Sequence, residues 1–178
     1  MRALMGKLLA VATALSAVLI MSTKAYANLE ATCMAASAKD TRFNYGFCVK
    51  ALSAVAQTGD GARELAKATA NIGAKLAAAT EAKARAWLED PRTQPKACDP
   101  FQTCYFIYQR ASNLFLFAEH LIDKHAYADA KSRARDVPSA VRDCNRYFHE
   151  AGLGAPFLEQ SAQCEQLGII CGAITDLL

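Results

Sequence analysis

Apolar residues recur at alternating steps of three and four through the middle of the chain, the spacing of one buried face of an α-helix. The clearest stretch covers residues 99–122. Its predicted buried stripe consists of Phe101, Cys104, Tyr108, Ala111, Phe115, Ala118 and Ile122. Leu114 and Phe117 widen the stripe, and Asp99 followed by Pro100 is a typical helix start. The pattern therefore predicts a central helix covered by neighbours on most of its surface.

Three further long helices are predicted by composition and period, separated by short breaks. They cover residues 59–90, 127–149 and 156–178. Pro138 is expected to kink the second of these or divide it near Val137. Two short helical segments within residues 28–58 precede them, and no strand-like alternation is present. The predicted fold is therefore all-α: a helical hairpin (28–58) and an up-down-up-down four-helix bundle (59–178) in one domain.

The N-terminal segment is expected to be a secretory signal peptide and not part of the fold. Arg2 and Lys7 precede an apolar run over residues 8–21, and Ala25 and Ala27 are small residues at the two cleavage-critical positions. The apolar run is shorter than the roughly 20 residues that a membrane-spanning helix needs. We therefore expect cleavage after Ala27 and a secreted, soluble protein.

The charge of the chain excludes some classes of partner. It contains 20 Lys and Arg against 17 Asp and Glu, a formal net charge of +3. Three of the basic residues, Arg2, Lys7 and Lys24, belong to the expected signal peptide, so the remaining chain is formally neutral. Because nucleic-acid and anionic-membrane binding are typical of basic surfaces, neither partner is expected.

Residues with catalytic or metal-binding chemistry form no recognisable motif. The sequence lacks a Gly-rich phosphate loop, GxSxG, HExxH and a CxxC pair. His120, His125 and His149 are scattered, so we expect no metal site and no cofactor. Glu119 and His120 could form a buried acid–base pair, but a solvent-exposed pair is the more frequent arrangement. We therefore expect neither enzymatic activity nor a catalytic residue.

Seven cysteines follow the expected signal peptide, and disulfides are the usual state of cysteine in a secreted protein. An odd number leaves at least one thiol without a partner in the chain. Cys164 and Cys171 lie seven residues apart on one predicted helix, about 10 Å, which is too far for a bridge. Cys98 precedes the central helix at the end of the bundle where the last helix begins. These positions predict a Cys98–Cys164 disulfide and a free Cys171 thiol in the apolar seam.

Three motifs, taken in order, resemble the plant invertase and pectin methylesterase inhibitor family. They are Thr32-Cys33 with Asn44-Tyr45-Gly46-Phe47-Cys48, then Cys104-x3-Tyr108-x2-Ala111, then Cys144-x3-Phe148-x-Glu150-x-Gly152. Thr103 stands where the family usually has Asp, and Ala155 stands where it usually has Ser. The resemblance covers essentially all of residues 32–178.

The resemblance implies two disulfides, Cys33–Cys48 in the hairpin and Cys104–Cys144 between two bundle helices. It also implies one-to-one, reversible inhibition of a plant carbohydrate-active enzyme. The favoured target is a pectin methylesterase whose substrate cleft the inhibitor covers, and the alternative is a cell-wall or vacuolar invertase. The implied location is the apoplast and cell wall, with the vacuole as the alternative.

The predicted target contact is the interhelix loop formed by Lys124, His125, Ala126 and Tyr127. Some invertase inhibitors of the family carry Pro-Lys-Phe at this place, and only the terminal aromatic residue is kept here. This departure favours pectin methylesterase over invertase as the target. Two other functions remain open: an apolar-ligand carrier, which needs a cavity along the central helix, and a structural protein of wall or pollen.

Overall fold

A computed structural model describes residues 28–55 and 61–178, which are mostly helical. The helices are α1 (28–37), α2 (Tyr45–Leu52), α3 (Ala62–Glu89), α4 (Pro95–Asp123), α5 (Tyr127–Glu150) and α6 (Leu158–Thr175). The expected signal peptide lies outside the described residues. Each helix from α3 to α6 packs against two neighbours, which closes the four into a ring. The predicted all-α fold, a four-helix bundle preceded by a disulfide-linked hairpin, is confirmed.

The core is built around α4. All seven residues of its predicted buried stripe are buried, and Tyr108 and Phe115 have no exposed surface. Leu114 is also buried, whereas Phe117 is 60% exposed, so its predicted place beside the stripe is wrong. Helix α3 is buried largely through small residues, among them Ala70, Gly73, Ala74 and Ala77. Gly73 lies against the Phe115 ring of α4, and the carbonyl of Ala74 accepts a hydrogen bond from Ser112 of α4.

Helix α4 begins earlier than the sequence pattern indicates. Gln94 precedes its first residue, Pro95, and makes no side-chain capping bond. The predicted start at Asp99 and Pro100 is wrong, since Pro100 lies inside the helix and is buried. Pro95 supplies the same signal as Pro100 more than one turn earlier, because its fixed φ suits the first helical position.

Helix α5 continues through Pro138 without a break, so the predicted division near Val137 is not observed. Pro138 is buried and faces α6. A Cβ added at Gly168 of α6 would lie 2.9 Å from the carbonyl oxygen of Ala134 and 3.0 Å from Cδ of Pro138. Because Pro138 has no N–H to donate to the Ala134 carbonyl, only a glycine of α6 fits beside that freed oxygen.

The hairpin is held closed and is attached to the bundle. The Cys33–Cys48 disulfide joins α1 to α2. The side chain of Gln166 in α6 accepts a hydrogen bond from the backbone N–H of Asn44 at 3.0 Å and donates one to the carbonyl of Arg42 at 3.2 Å. This single amide therefore fixes the turn between α1 and α2 against the last helix.

The second disulfide, Cys104–Cys144, joins α4 to α5. Both disulfides are those implied by the family resemblance. The predicted third pair is wrong, because Cys98, Cys164 and Cys171 are all free thiols. Only the expectation for Cys171, a free cysteine buried in the seam, agrees with the structure.

The position of Cys98 explains why no bridge to Cys164 forms. Cys98 is already in the first turn of α4, where its Sγ lies 3.8 Å from the carbonyl oxygen of Gln94. Cys164 follows Ser161, whose hydroxyl lies 2.7 Å from the Tyr108 hydroxyl. Ten residues of α4 separate Cys98 from Tyr108, a distance of about 15 Å along the helix axis. The two thiols are therefore at different levels of the bundle.

Candidate target-binding surface

One face of α4 presents large aromatic side chains to solvent. Phe106 is 55% exposed and Phe117 is 60% exposed. They lie on the same side of the helix because 11 residues correspond to about three turns. Arg110 and Asn113 lie between them at helical spacing. Aromatic side chains, phenylalanine among them, and arginine are enriched at protein interfaces relative to the rest of the surface.

These residues line a groove of about 390 Å³ between α4 and α5. Its walls include Gln109 and Leu114 from α4 and Arg133 from α5. Leu114 is 7% exposed and forms an apolar floor at the edge of the core. The groove therefore combines an apolar base, two aromatic side chains and cationic groups on one open surface.

The two guanidinium groups of this groove form no ion pair within residues 28–55 and 61–178. Six arginines of the described chain form ion pairs with Asp or Glu: Arg42, Arg63, Arg85, Arg92, Arg142 and Arg146. Among the residues described, Arg110, Arg133 and Arg135 have no such partner, and the first two line the groove. Each therefore keeps its positive charge and its N–H donors available to a carboxylate from outside.

The predicted contact loop joins the same two helices and has a well-defined backbone. His125 has φ of 59°, in the left-handed region, and is the first residue beyond the helix cap Lys124. The N–H of His125 donates to the carbonyl of Ile122 at 3.1 Å, and the N–H of Ala126 donates to that of Leu121 at 2.9 Å. This pair of bonds is the Schellman motif, in which the left-handed position is most often glycine.

Side chains also hold the loop in place. Nδ1 of His125 lies 2.6 Å from the hydroxyl of Tyr127, with the two rings edge to face. At the end of α4, Asp123 pairs with Lys67 at 2.8 Å and with Arg63 at 3.1 Å. The hydrogen bond from Lys67 holds the pKa of the Asp123 carboxyl below its usual value. Lys124 and His125 are exposed beside this network.

The loop and the groove belong to one side of the bundle. Phe117 precedes Lys124 by seven residues, about 10 Å along α4. The predicted contact loop therefore lies next to the groove between α4 and α5, which the sequence analysis did not predict. Its signal in the sequence is the position of Phe106 and Phe117 on the helical face that carries Arg110 and Asn113.

The sequence offered one acid–base pair and several thiols as groups with chemistry. Glu119 is half-buried, His120 is exposed, and no hydrogen bond joins their side chains. Burial raises the pKa of both the Cys164 and the Cys171 thiol to about 12, so each stays protonated and unreactive near neutral pH. Within residues 28–55 and 61–178, no three His, Cys, Asp or Glu side chains are placed to hold a metal ion.

Two comparisons place the chain among known proteins. A model of the plant invertase/pectin methylesterase inhibitor family matches residues 27–174. The chain is also 31% identical to pectinesterase inhibitor 8 of Oryza sativa subsp. japonica over 151 residues, 84% of this chain and 82% of that protein. Among the described helices, none has both the length and the apolar character needed to cross a membrane. The chain belongs to the plant invertase/pectin methylesterase inhibitor family.

Proposed function

We propose that this protein inhibits a pectin methylesterase by reversible, one-to-one binding that covers the substrate cleft of the enzyme. The observation that carries the proposal is the groove between α4 and α5, with Phe106 and Phe117 exposed. Arg110 and Arg133 of this groove have no ion-pair partner in the part of the chain that the structure describes. The name of the rice relative, a pectinesterase inhibitor, supports this class of target over an invertase. The protein itself is proposed to have no enzymatic activity.

The rigidity of the groove favours tight binding. The Cys104–Cys144 disulfide joins its two helices, and Phe106 is two residues from that bridge. A surface that is already ordered loses little conformational entropy on binding, so more of the contact energy appears as affinity. The binding is proposed to be non-covalent, because the free thiols at Cys164 and Cys171 are buried and the half-buried Cys98 does not line the groove.

The charges of the groove indicate the chemistry of the partner. Carboxylates are the strongest partners for Arg110 and Arg133, because a guanidinium binds a carboxylate with two parallel hydrogen bonds. Apolar groups that cover Phe106 and Phe117 contribute binding free energy by removing exposed apolar surface from water. The proposed contact area of the enzyme therefore contains carboxylates next to apolar side chains.

The proposed location follows from the expected signal peptide. The mature protein would begin after Ala27 and act in the apoplast and cell wall, with the vacuole as the alternative. The intact mass of secreted protein tests this, because a retained N-terminal segment would contradict secretion through signal cleavage.

The alternative target is an invertase, for which the fixed conformation of the loop is the supporting observation, although the loop sequence departs from Pro-Lys-Phe. Lys124 and His125 are exposed, and the Schellman motif and the contact with Tyr127 hold them in a fixed conformation. A fixed, basic and aromatic loop is suited to enter a narrow cleft, whereas the broader groove is suited to a flat or open one.

Inhibition assays with both enzymes test the proposal. The purified protein is mixed with a pectin methylesterase and, separately, with an invertase, and residual activities are measured against inhibitor concentration. Saturation at one inhibitor per pectin methylesterase is expected. If only the invertase is inhibited, the alternative target is correct, and if neither is inhibited, the proposed function is wrong.

A loop variant separates the two modes of recognition. Replacing residues 124–127 with a neutral Gly/Ser sequence is expected to leave pectin methylesterase inhibition nearly unchanged, because the groove remains intact. For an invertase, the same replacement is expected to weaken inhibition at least tenfold, about 1.4 kcal/mol.

A further inference from the structure

A second surface site lies at the end of the bundle away from the loop at residues 124–127. A cleft of about 290 Å³ opens between the α3–α4 connection and the α5–α6 connection. Its lining includes Trp87, Arg92, Gln94, Phe101, Phe148 and Pro156. The cleft thus has mainly aromatic and apolar walls with polar side chains along one rim, the composition typical of small-ligand sites.

The aromatic wall is held in a fixed orientation. The Trp87 ring stacks on Phe101 with a centroid distance of 5.3 Å and an interplanar angle of 9°. Phe101 in turn contacts Phe148 edge to face at 4.8 Å. Phe101 is buried and covers one face of the indole, so the 45% of Trp87 that is exposed lies on its other face and edges. Trp87 is therefore an exposed ring on a rigid base.

The polar rim has donors that are not used within the described chain. Nε and Nη2 of Arg92 donate to the two carboxylate oxygens of Asp90, at 3.0 and 2.7 Å. A guanidinium has five N–H donors, so about three of those of Arg92 remain free. The side-chain amide of Gln94 and the indole N–H of Trp87 also form no hydrogen bond with any residue that the structure describes.

We propose that this cleft binds an acidic sugar unit, a galacturonate residue of a pectin chain. The C–H groups on one face of a sugar ring are attracted to the negative face of the Trp87 indole. The carboxylate of the sugar accepts hydrogen bonds from the N–H groups of Arg92 that Asp90 does not use, and its hydroxyls pair with Gln94. Because the ion pair with Asp90 offsets the charge of Arg92, these hydrogen bonds and not a net positive charge hold the carboxylate. The choice of galacturonate rests on the proposed function, since pectin is the polymer on which a pectin methylesterase acts.

Such a site would attach the inhibitor to the wall polymer while leaving the groove between α4 and α5 open. The cleft lies at the start of α4, and Phe117 is 16 residues further along that helix than Phe101, about 24 Å. An inhibitor bound to pectin at one end could therefore still bind the enzyme through its side.

Intrinsic fluorescence tests the site directly, because Trp87 is the single tryptophan of the chain. The purified protein, with no enzyme present, is titrated with a short oligogalacturonate at low salt. We expect a saturable change in emission, and at least tenfold weaker binding of the fully methyl-esterified oligomer, which lacks the carboxylates. No saturable change, or equal affinity for the two oligomers, would overturn the inference.

A pair of matched variants assigns the effect to Arg92. Arg92→Gln is expected to weaken oligogalacturonate binding at least fivefold. Arg42→Gln is the control, because Arg42 pairs with Asp40 through the same two nitrogens, at 3.0 and 2.6 Å, but lies on the hairpin. Equal effects of the two substitutions would contradict the proposed site.

Enzyme inhibition by the wild-type protein is measured separately, so that the two proposals can fail independently. Saturable sugar binding without pectin methylesterase inhibition contradicts the proposed function and leaves a galacturonate-binding protein. Inhibition without sugar binding contradicts only the site at Trp87.

Discussion

Gly73 of α3 leaves the space that the Phe115 ring of α4 occupies: a Cβ at position 73 would lie 2.5 Å from two atoms of that ring. Phe115 is completely buried and cannot turn into solvent. Overpacking of this kind costs about 1–3 kcal/mol, against a helix-propensity gain of about 1 kcal/mol for alanine over glycine. Gly73→Ala is therefore expected to lower the free energy of unfolding by up to about 2 kcal/mol, measured by urea denaturation.

Gly172→Ala is the matched control for this prediction. A Cβ at Gly172 in α6 would meet its nearest neighbour, Cγ of Arg135, at 3.5 Å, which is ordinary contact. At this position no overpacking offsets the higher helix propensity of alanine, so the free energy of unfolding is expected to rise by up to about 1 kcal/mol. Stabilisation by both substitutions would show that α3 and α4 are not as close as described.

The hydroxyls of Tyr108 and Ser161 lie 2.7 Å apart in the core. Burial raises the pKa of the Tyr108 phenol, which stays protonated. Ser161→Ala removes the hydrogen-bond partner that the structure shows for the buried Tyr108 hydroxyl. The substitution is therefore expected to lower the free energy of unfolding by about 1–3 kcal/mol. Tyr108→Phe is expected to cost about 1 kcal/mol.

A double-mutant cycle checks the coupling between these two side chains. Tyr108→Phe combined with Ser161→Ala removes both hydroxyls, so the double variant is expected to lose about 1 kcal/mol less than the sum of the single variants. Strict additivity would mean that the two hydroxyls do not interact.

His125→Gly is expected to stabilise the protein. A residue other than glycine in the left-handed region costs about 1–2 kcal/mol, and the loss of the contact with Tyr127 offsets part of the gain. We expect a net rise of about 0.5–1 kcal/mol in the free energy of unfolding, seen as a higher melting temperature. His120→Gly, within α4, is the control and is expected to destabilise, since φ there is helical. A lower melting temperature for His125→Gly would contradict the left-handed backbone at the loop.

The three free cysteines are expected to differ in reactivity. Cys98 is half-buried, whereas Cys164 and Cys171 are buried thiols whose pKa is raised to about 12. Alkylation of the native protein near neutral pH, followed by mass spectrometry, is expected to modify Cys98 first and the other two only after unfolding. A Cys98 that resists alkylation until reduction would indicate a disulfide and contradict the structure.

The periodic pattern of the sequence predicted most of the fold. The stripe from Phe101 to Ile122 is buried as predicted, because helical spacing places its members on one face. The start of α4 was not predicted correctly, since Pro95 and Pro100 give the same signal and only tertiary packing decides between them. Because the helix start was placed too late, Cys98 was expected to precede α4 and to pair with Cys164, whereas it lies in the first turn of α4 and is a free thiol.

Features that depend on two helices together could not be predicted from a single stretch of sequence. The fit of Gly168 beside Pro138 depends on the level at which α6 packs against α5. Phe106 and Phe117 are aromatic, which favours a core position, and their exposure results from the face of α4 that they share with Arg110. Of the proposed binding surface, the sequence therefore indicated only the loop.

The inhibition constant for a pectin methylesterase, measured for groove variants, tests most directly whether the groove between α4 and α5 binds the enzyme. The double variant Phe106→Ala and Phe117→Ala is expected to inhibit at least tenfold less well, about 1.4 kcal/mol. Leu116→Ala is the control, because Leu116 is 49% exposed on the same helix but does not line the groove. Leu116→Ala is expected to inhibit like the wild type. Undiminished inhibition by the double variant, or an equal loss in the control, would contradict it.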